Sequence, residues 1–265
     1  MNAHPTLNNY MQSPLLRQLR AEMPQPAWIL YLLWLLLMIM LPHVLRLGGE
    51  SLLLGSINAS VLIQAAVVLA ILWPAWGAAK TLRALLIVAA LSWAVEFLGS
   101  STGFPFGSYD YTERLQPQLF HVPLLIPMAW LMMLAPSWAV ARLLVGRDRG
   151  FVFALVSGVA ITAWELFLDP QMVAWGLWVW EQPGGYFGIP WVNYAGWIAT
   201  GTLITLAVRP RQFPVLPLLL IYITTWLLQS VGLAFFFGLS GPALVGFVVM
   251  GGLVVMAMRG VMRDA

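Results

Sequence analysis

The chain contains eight apolar stretches, at about 27–45, 51–73, 82–99, 122–145, 150–169, 190–208, 213–238 and 242–258. Each is in or just above the range of roughly 17–25 residues that a helix needs to cross a bilayer. Backbone groups in lipid must pair within their own segment, so runs of this length fold as helices. Charged residues make up 9% of the 265 residues, against about 25% in a soluble domain, too few to coat a water-facing surface. Together these features predict an all-α, polytopic membrane helix bundle of about eight transmembrane helices. A single integral membrane domain spans 27–265 and follows a polar tail over 1–26. That tail lacks the signal-peptide order of charge, apolar core and small-residue site, so it reads as a surface segment.

The basic residues give the bundle a direction. On the eight-helix map Arg17, Arg20, Lys80, Arg83, Arg142, Arg147, Arg149, Arg209, Arg211, Arg259 and Arg263 fall on one side, and only Arg46 and Arg114 fall on the other. Positively charged loops stay in the cytoplasm, so both termini are expected there. The turn Gly238-Leu239-Ser240-Gly241-Pro242 is the weak point of this map, because a fused span would carry the C-terminus across; Arg259 and Arg263 argue against it. The net charge of +3 comes from single basic residues between apolar runs. It reads as topology, and no nucleic-acid partner is expected.

Rare residues narrow the chemistry. Zero cysteines remove disulfides, thiolate metal sites and a cysteine nucleophile. The three histidines, His4, His43 and His121, are isolated, which disfavours membrane di-iron oxygenases. No glycine-rich nucleotide cradle is present, and Asp110, Asp148, Asp169 and Asp264 stand apart, unlike the aspartate clusters that hold magnesium diphosphate. Neither a metal nor a cofactor is expected.

The remaining acids gather toward the outer side, as Glu50, Glu96, Asp110, Glu113, Glu165, Asp169 and Glu181. Glu96, Glu165 and Asp169 lie within apolar runs, where an ionisable group is costly and marks function by default. Trp93 and Glu96 are three apart and share a helix face. After them, residues 99–111 mix glycine, proline, Phe104, Phe106, Tyr109 and Tyr111, which suits a rigid interfacial loop or a simple aromatic belt with a turn. Glu165 and Asp169 are four apart and also share a face, and Pro170 is expected to disrupt or end their helix. Two adjacent shielded carboxyls hold one proton between them more readily than none, which places an acid beside a base; a capped kink or an arginine pair would use the same residues. About ten residues then follow, with Trp175, Trp178 and Trp180, too few to span and read as returning along the interface. A second aromatic loop covers 184–194 and ends near Asn193, which can orient water or a carboxylate. Most of the fourteen tryptophans belong to interfaces, but those beside the acids could stabilise a cation through their ring faces.

Four motifs carry a resemblance: Trp93-x-x-Glu96-x-x-Gly99-x-x-Thr102-Gly103-x-Pro105-Phe106-Gly107-x-Tyr109-x-Tyr111, Ala163-Trp164-Glu165-x-x-x-Asp169-Pro170, Trp178-x-Trp180, and Gly188-Ile189-Pro190-x-x-Asn193-Tyr194-x-Gly196-Trp197. Over about 80–200 the chain resembles the carotenoid biosynthesis membrane proteins of the CruF type, the carotenoid 1,2-hydratases, bisanhydrobacterioruberin hydratase-like proteins among them. The resemblance implies a hydro-lyase of a prokaryotic cytoplasmic membrane that adds water to the terminal C1,C2 double bond of an acyclic carotenoid such as lycopene or γ-carotene, with membrane lipid around it. Protonation at C2 makes a tertiary cation at C1, which calls for an acid, aromatic faces, and a water with a base. On this reading Glu96, Glu165 and Asp169 are the catalytic candidates, with Asp169 or Glu96 supplying the proton and Glu165 the next candidate for handling water. Trp93, Phe106, Tyr109, Tyr111, Trp164, Trp178 and Asn193 are expected at the substrate, and Thr102 at the water. An end-group cyclase, which shares the first protonation, and a non-catalytic isoprenoid binder or transporter remain as alternatives.

Overall fold

A computed structural model describes residues 14–264, so the expected tail lies outside the described residues as far as position 13. A short helix, α1 (Pro14–Glu22), leads into α2 (Gln25–Thr102), followed by α3 (Ile126–Val145), α4 (Phe151–Ala174), α5 (Trp191–Val208), α6 (Val215–Phe235) and α7 (Ser240–Asp264). Glu22 ties α1 to the bundle by accepting the Leu216 backbone N–H at 3.3 Å, one of the unpaired donors in the first turn of α6.

A straight helix of the 78 residues of α2 would be about 117 Å long, several times the hydrocarbon thickness. The chain departs from helical geometry at Gly49 (φ 66°) and Gly77 (φ 72°), left-handed positions that glycine adopts without a Cβ clash. One contact between its sections follows from these reversals, the Ser60 hydroxyl reaching the Met38 sulfur at 3.0 Å, while Gln64 reaches out to Met133 on α3 and Thr225 on α6.

Six described helices are long and apolar enough to cross a membrane: Gln25–Val44, Ser51–Thr102, Ile126–Val145, Phe151–Ala174, Val215–Phe235 and Ser240–Met262. The apolar stretches 51–73 and 82–99 both fall within Ser51–Thr102, whose 52 residues are broken at Gly77. Stretch 190–208 is α5, which is not among the six; its 18 residues include Asn193, Thr200, Thr202 and Thr205. The protein is thus an all-α membrane bundle. A Cβ on Gly201 would stand 3.0 Å from the Gly158 Cα, so α4 and α5 cross at small residues, the close approach that lipid-embedded helices favour.

The two ends of the bundle differ. At one end the basic turns meet: Lys80 Nζ and Trp76 Nε1 donate to the Arg211 carbonyl at 2.8 and 2.9 Å, and the Gln212 N–H donates to Asp148 Oδ2 at 3.0 Å. At the other, the first aromatic loop pairs with the tryptophan segment that follows α4. Strand β1 (Tyr109–Tyr111) runs antiparallel to β4 (Trp178–Trp180), with Tyr109 opposite Trp180 and Tyr111 opposite Trp178. A smaller ribbon joins β2 (Gln118–Leu119) to β3 (Val122–Pro123), so stretch 122–145 begins as strand and becomes helix at Ile126.

One expectation is corrected here. Pro170 does not end its helix, which continues to Ala174. Proline at 170 has no N–H for the Leu166 carbonyl, and the Tyr186 hydroxyl supplies the missing donor at 3.0 Å. Pro136 in α3 is treated alike: Gln64 Nε2 lies 3.4 Å from the Met132 carbonyl that Pro136 leaves free. Of the ten residues after Pro170, the first four continue α4 and the last three form β4.

Candidate active site

Alternation in β1 and β4 sends every second residue inward, and these are the aromatic ones. Tyr109, Trp178 and Trp180 are buried while Asp110 and Val179 face out. The ribbon therefore roofs the ends of the two helices that carry the acids. Beneath it Glu96, Glu165 and Asp169 are 3%, 1% and 1% exposed, and all three line one small cavity of about 390 Å³ of empty space.

Each acid has different partners. Glu96 Oε2 accepts the Tyr109 hydroxyl at 2.5 Å and the Tyr111 hydroxyl at 2.8 Å, and Oε1 accepts Trp130 Nε1 at 3.0 Å. Three donors on two oxygens is the arrangement of an ionised carboxylate, which only accepts. Burial, and then the Glu96 charge, push both phenols well above the usual tyrosine range, so they stay protonated donors. Asp169 accepts Trp178 Nε1 on Oδ1 at 2.7 Å and a short hydrogen bond from Asn193 Nδ2 on Oδ2. Glu165 lies one helical turn before Asp169 and lines the same cavity, and its Oε2 is buried with no partner among the described residues. Two buried carboxyls one helical turn apart resist ionising together, so this pair can hold an acid beside a base.

All the donors that hold Glu96 and Asp169 are neutral, and no lysine or arginine lines the cavity. Its remaining wall is largely aromatic. Trp130 and Trp197 stack with ring centres 3.9 Å apart and an 8° interplanar angle, and Trp164 meets Trp197 edge-on at 6.3 Å. Phe106 is wedged between two helices: a Cβ on Gly99 would come within 2.7 Å of its ring, and one on Gly196 within 2.6 Å. Among the described residues no group of three or more histidine, aspartate or glutamate side chains is arranged to hold a metal ion. The chamber combines three carboxyls, unpaired with any cation along its walls, with π-faces, and so favours a transient positive charge on an apolar ligand.

Beside it lies a larger cavity with about 940 Å³ of empty space, part of it open to the outside. The two share Ile126, Ala129, Leu168 and Trp178 as common walls.

Residues 57–253 match a protein family described as carotenoid biosynthesis protein. The chain belongs to this family. Glu96, Glu165, Asp169 and Asn193 all lie within the matched region. The bisanhydrobacterioruberin hydratase of Haloarcula japonica is 34% identical over 126 residues, which cover 46% of this chain and 43% of that protein. The chain thus matches less than half of the length of that relative. No solved structure matches it.

Of the residues singled out in the sequence, Glu96, Phe106, Tyr109, Tyr111, Glu165, Asp169, Trp178 and Asn193 line the acid chamber, and Trp164 lines the larger cavity. Trp93 and Thr102 stand apart. Three residues of helix advance about 300°, so Trp93 is rotated by about 60° from Glu96, and it stacks on Phe97 at 5.5 Å instead. Thr102 closes the end of its helix, donating to the Leu98 carbonyl at 2.7 Å and accepting the Phe104 N–H at 3.2 Å. Sequence reasoning missed Trp130, which nothing distinguishes within its apolar run, and left Trp197 as a motif residue without a role. Trp197 is four residues after Asn193, and that spacing already puts both on one face of α5.

Proposed function

We propose that this protein is a carotenoid hydratase that adds water across the terminal C1,C2 double bond of an acyclic end group, giving a tertiary 1-hydroxy product. One observation carries the reading: three buried carboxyls, two of them held by neutral donors, face stacked tryptophans in a chamber with no basic side chain on its wall. That is an environment for making and quenching a carbocation. Membership in the carotenoid family and the partial match to a hydratase support the same chemistry.

In the proposed reaction Glu165 gives its proton to C2. Asp169 is already occupied as an acceptor by Trp178 and Asn193, so the proton of the pair is assigned to Glu165, whose Oε2 has no partner among the described residues. This differs from the sequence-based expectation that Asp169 or Glu96 is the donor. The tertiary cation at C1 then sits among Trp130, Trp178 and Trp197, opposite the Glu96 carboxylate. Water forms the C1–O bond and loses a proton to a carboxylate, and return of that proton to Glu165 closes the cycle. One alkene and one water give one alcohol, with no redox change.

The proposed setting is a prokaryotic cytoplasmic membrane, crossed eight times, with both termini and the basic turns in the cytoplasm and the acid chamber toward the opposite face. Lycopene and γ-carotene are the substrates proposed for trial. The test is expression in bacteria that accumulate these pigments, grown in ordinary and oxygen-18 water, with mass analysis of the extracts. A gain of one labelled water is expected. Unchanged mass with a shifted absorption spectrum would mean cyclisation, and unchanged pigment beside folded protein would refute conversion of these substrates.

A further inference from the structure

The basic end of the bundle holds a further cavity that the chemistry of the acids does not use. It has about 690 Å³ of empty space, part of it open to the outside, between the turn that enters α4 and the turn that leaves α5. Arg149, Arg209 and Arg211 line it, with Asp148 as the one acid. Asp148 already accepts the Gln212 N–H at 3.0 Å. The guanidinium groups of the three arginines have neither a carboxylate at ion-pair distance nor a hydrogen-bond partner among the described residues. Three like charges around one hollow repel each other, and an anion between them relieves that repulsion.

A groove runs from this end toward the middle of the bundle. Arg83 stands at its mouth, and Leu82, Leu86 and Leu91 of α2 and Ala207 of α5 line it. From Arg83 to Leu91 the helix rises about 12 Å, and no other charged residue lines the groove. Leu82 and Leu86 are 47% and 66% exposed, so no other described helix covers this wall. Cavity and groove flank the last turn of α5, with Leu206 in the wall of one and Ala207 in the wall of the other. Their charges are linked as well. Lys80 interacts electrostatically with both Arg83 and Arg211, while its own ammonium is taken up by the Arg211 carbonyl at 2.8 Å and the Trp76 ring face at 4.4 Å.

An arginine-lined hollow with an uncharged slot leading away from it suits an amphiphile that has an anionic head and a hydrocarbon tail. A soluble anion would use the hollow alone. We propose that this end of the bundle binds an anionic phospholipid, with its phosphodiester among the arginines of the hollow and one acyl chain in the groove that starts at Arg83. The site is independent of the reaction assigned to the acid chamber. A lipid seated there bridges α2 and α5 on one side and the start of α4 on the other.

The experiment is native mass spectrometry of the full chain in detergent, incubated with equal amounts of phosphatidylglycerol and phosphatidylcholine that carry the same acyl chains. One or two arginine contacts favour retention of the anionic lipid by about fivefold to tenfold in the wild type. Arg209→Gln combined with Arg211→Gln brings the ratio close to one. Arg17→Gln combined with Arg20→Gln, which removes the same charge from α1, leaves it unchanged. Ala207→Phe keeps every arginine but fills the groove from an exposed position, and it lowers retention of the anionic lipid. Inorganic phosphate displaces no more lipid than chloride does at the same ionic strength. Only protein from the folded size-exclusion peak is compared, and if the 209 and 211 pair yields none, Arg83→Gln combined with Arg149→Gln reads the same contacts. Equal retention of the two lipids by the wild type, equal losses in the α1 pair and the site pair, or full retention in Ala207→Phe would overturn the proposal. Displacement by inorganic phosphate beyond that by chloride would also overturn it, in favour of a site for the free anion.

Discussion

Replacing Glu96 by glutamine separates its charge from its shape. Trp130 Nε1 can only donate, so the retained amide oxygen must stay with it, and the new NH₂ group faces Tyr109 and Tyr111. Both hydroxyls can rotate to accept, and Tyr109 has a second acceptor in the Glu96 backbone carbonyl at 3.5 Å. The contacts therefore survive Glu96→Gln as neutral hydrogen bonds. Trading charge-assisted bonds for neutral ones costs roughly 1–3 kcal/mol in total, offset in part because a buried charge is removed. The loss of the anion opposite the cation is larger in the transition state, and by analogy with removing one preorganised stabilising group it lowers kcat about 10²–10³-fold. Initial rates of labelled alcohol formation, normalised to folded protein from size-exclusion chromatography, measure this directly, and tryptophan fluorescence on heating gives the accompanying stability change. A variant that folds and turns over within about threefold of the wild type would refute the electrostatic role assigned to Glu96.

Other outcomes follow from the same geometry. Asp169→Asn is expected to remain folded, because Asn193 can flip its amide to accept the new NH₂ while Trp178 keeps the oxygen, yet to lose turnover of pigment; full activity in the labelled-water assay would sink the assignment. Tyr186→Phe leaves the Leu166 carbonyl at Pro170 without its donor and should cost about 1–3 kcal/mol, seen as a lower unfolding midpoint in detergent. The absence of cysteine makes topology easy to read: Arg114→Cys should react with an impermeant maleimide from outside the cell and Arg147→Cys only after permeabilisation, and labelling of both from one side would contradict the proposed orientation.

The helices were legible because apolar length alone decides them in lipid, and the three acids stood out because each interrupts such a run. What stayed hidden was pairing at a distance. The Tyr109-Asp110-Tyr111 and Trp178-Val179-Trp180 triplets each alternate aromatic with non-aromatic, a period-two signal that could have suggested strands, but three residues are too few to separate strand from loop without the partner. The continuation of α4 through Pro170 depends on Tyr186, sixteen residues later, and no local rule anticipates a hydroxyl arriving at that carbonyl. Trp93 lies outside the acid chamber for a simpler reason, because the i+3 relation is only approximate and it stacks on Phe97 at i+4.

The hydrogen bonds that hold the acids have a consequence for how the protein is made. Every donor to Glu96 and Asp169 lies downstream of the acid it serves, at separations of 13, 15 and 34 residues for Glu96 and 9 and 24 for Asp169. A chain emerging from the ribosome thus delivers each carboxyl first and its donors with the next stretch to arrive, so neither acid must wait in the bilayer for the far end of the protein. The centre is assembled in chain order and is complete once α5 has joined, with α6 and α7 still to come.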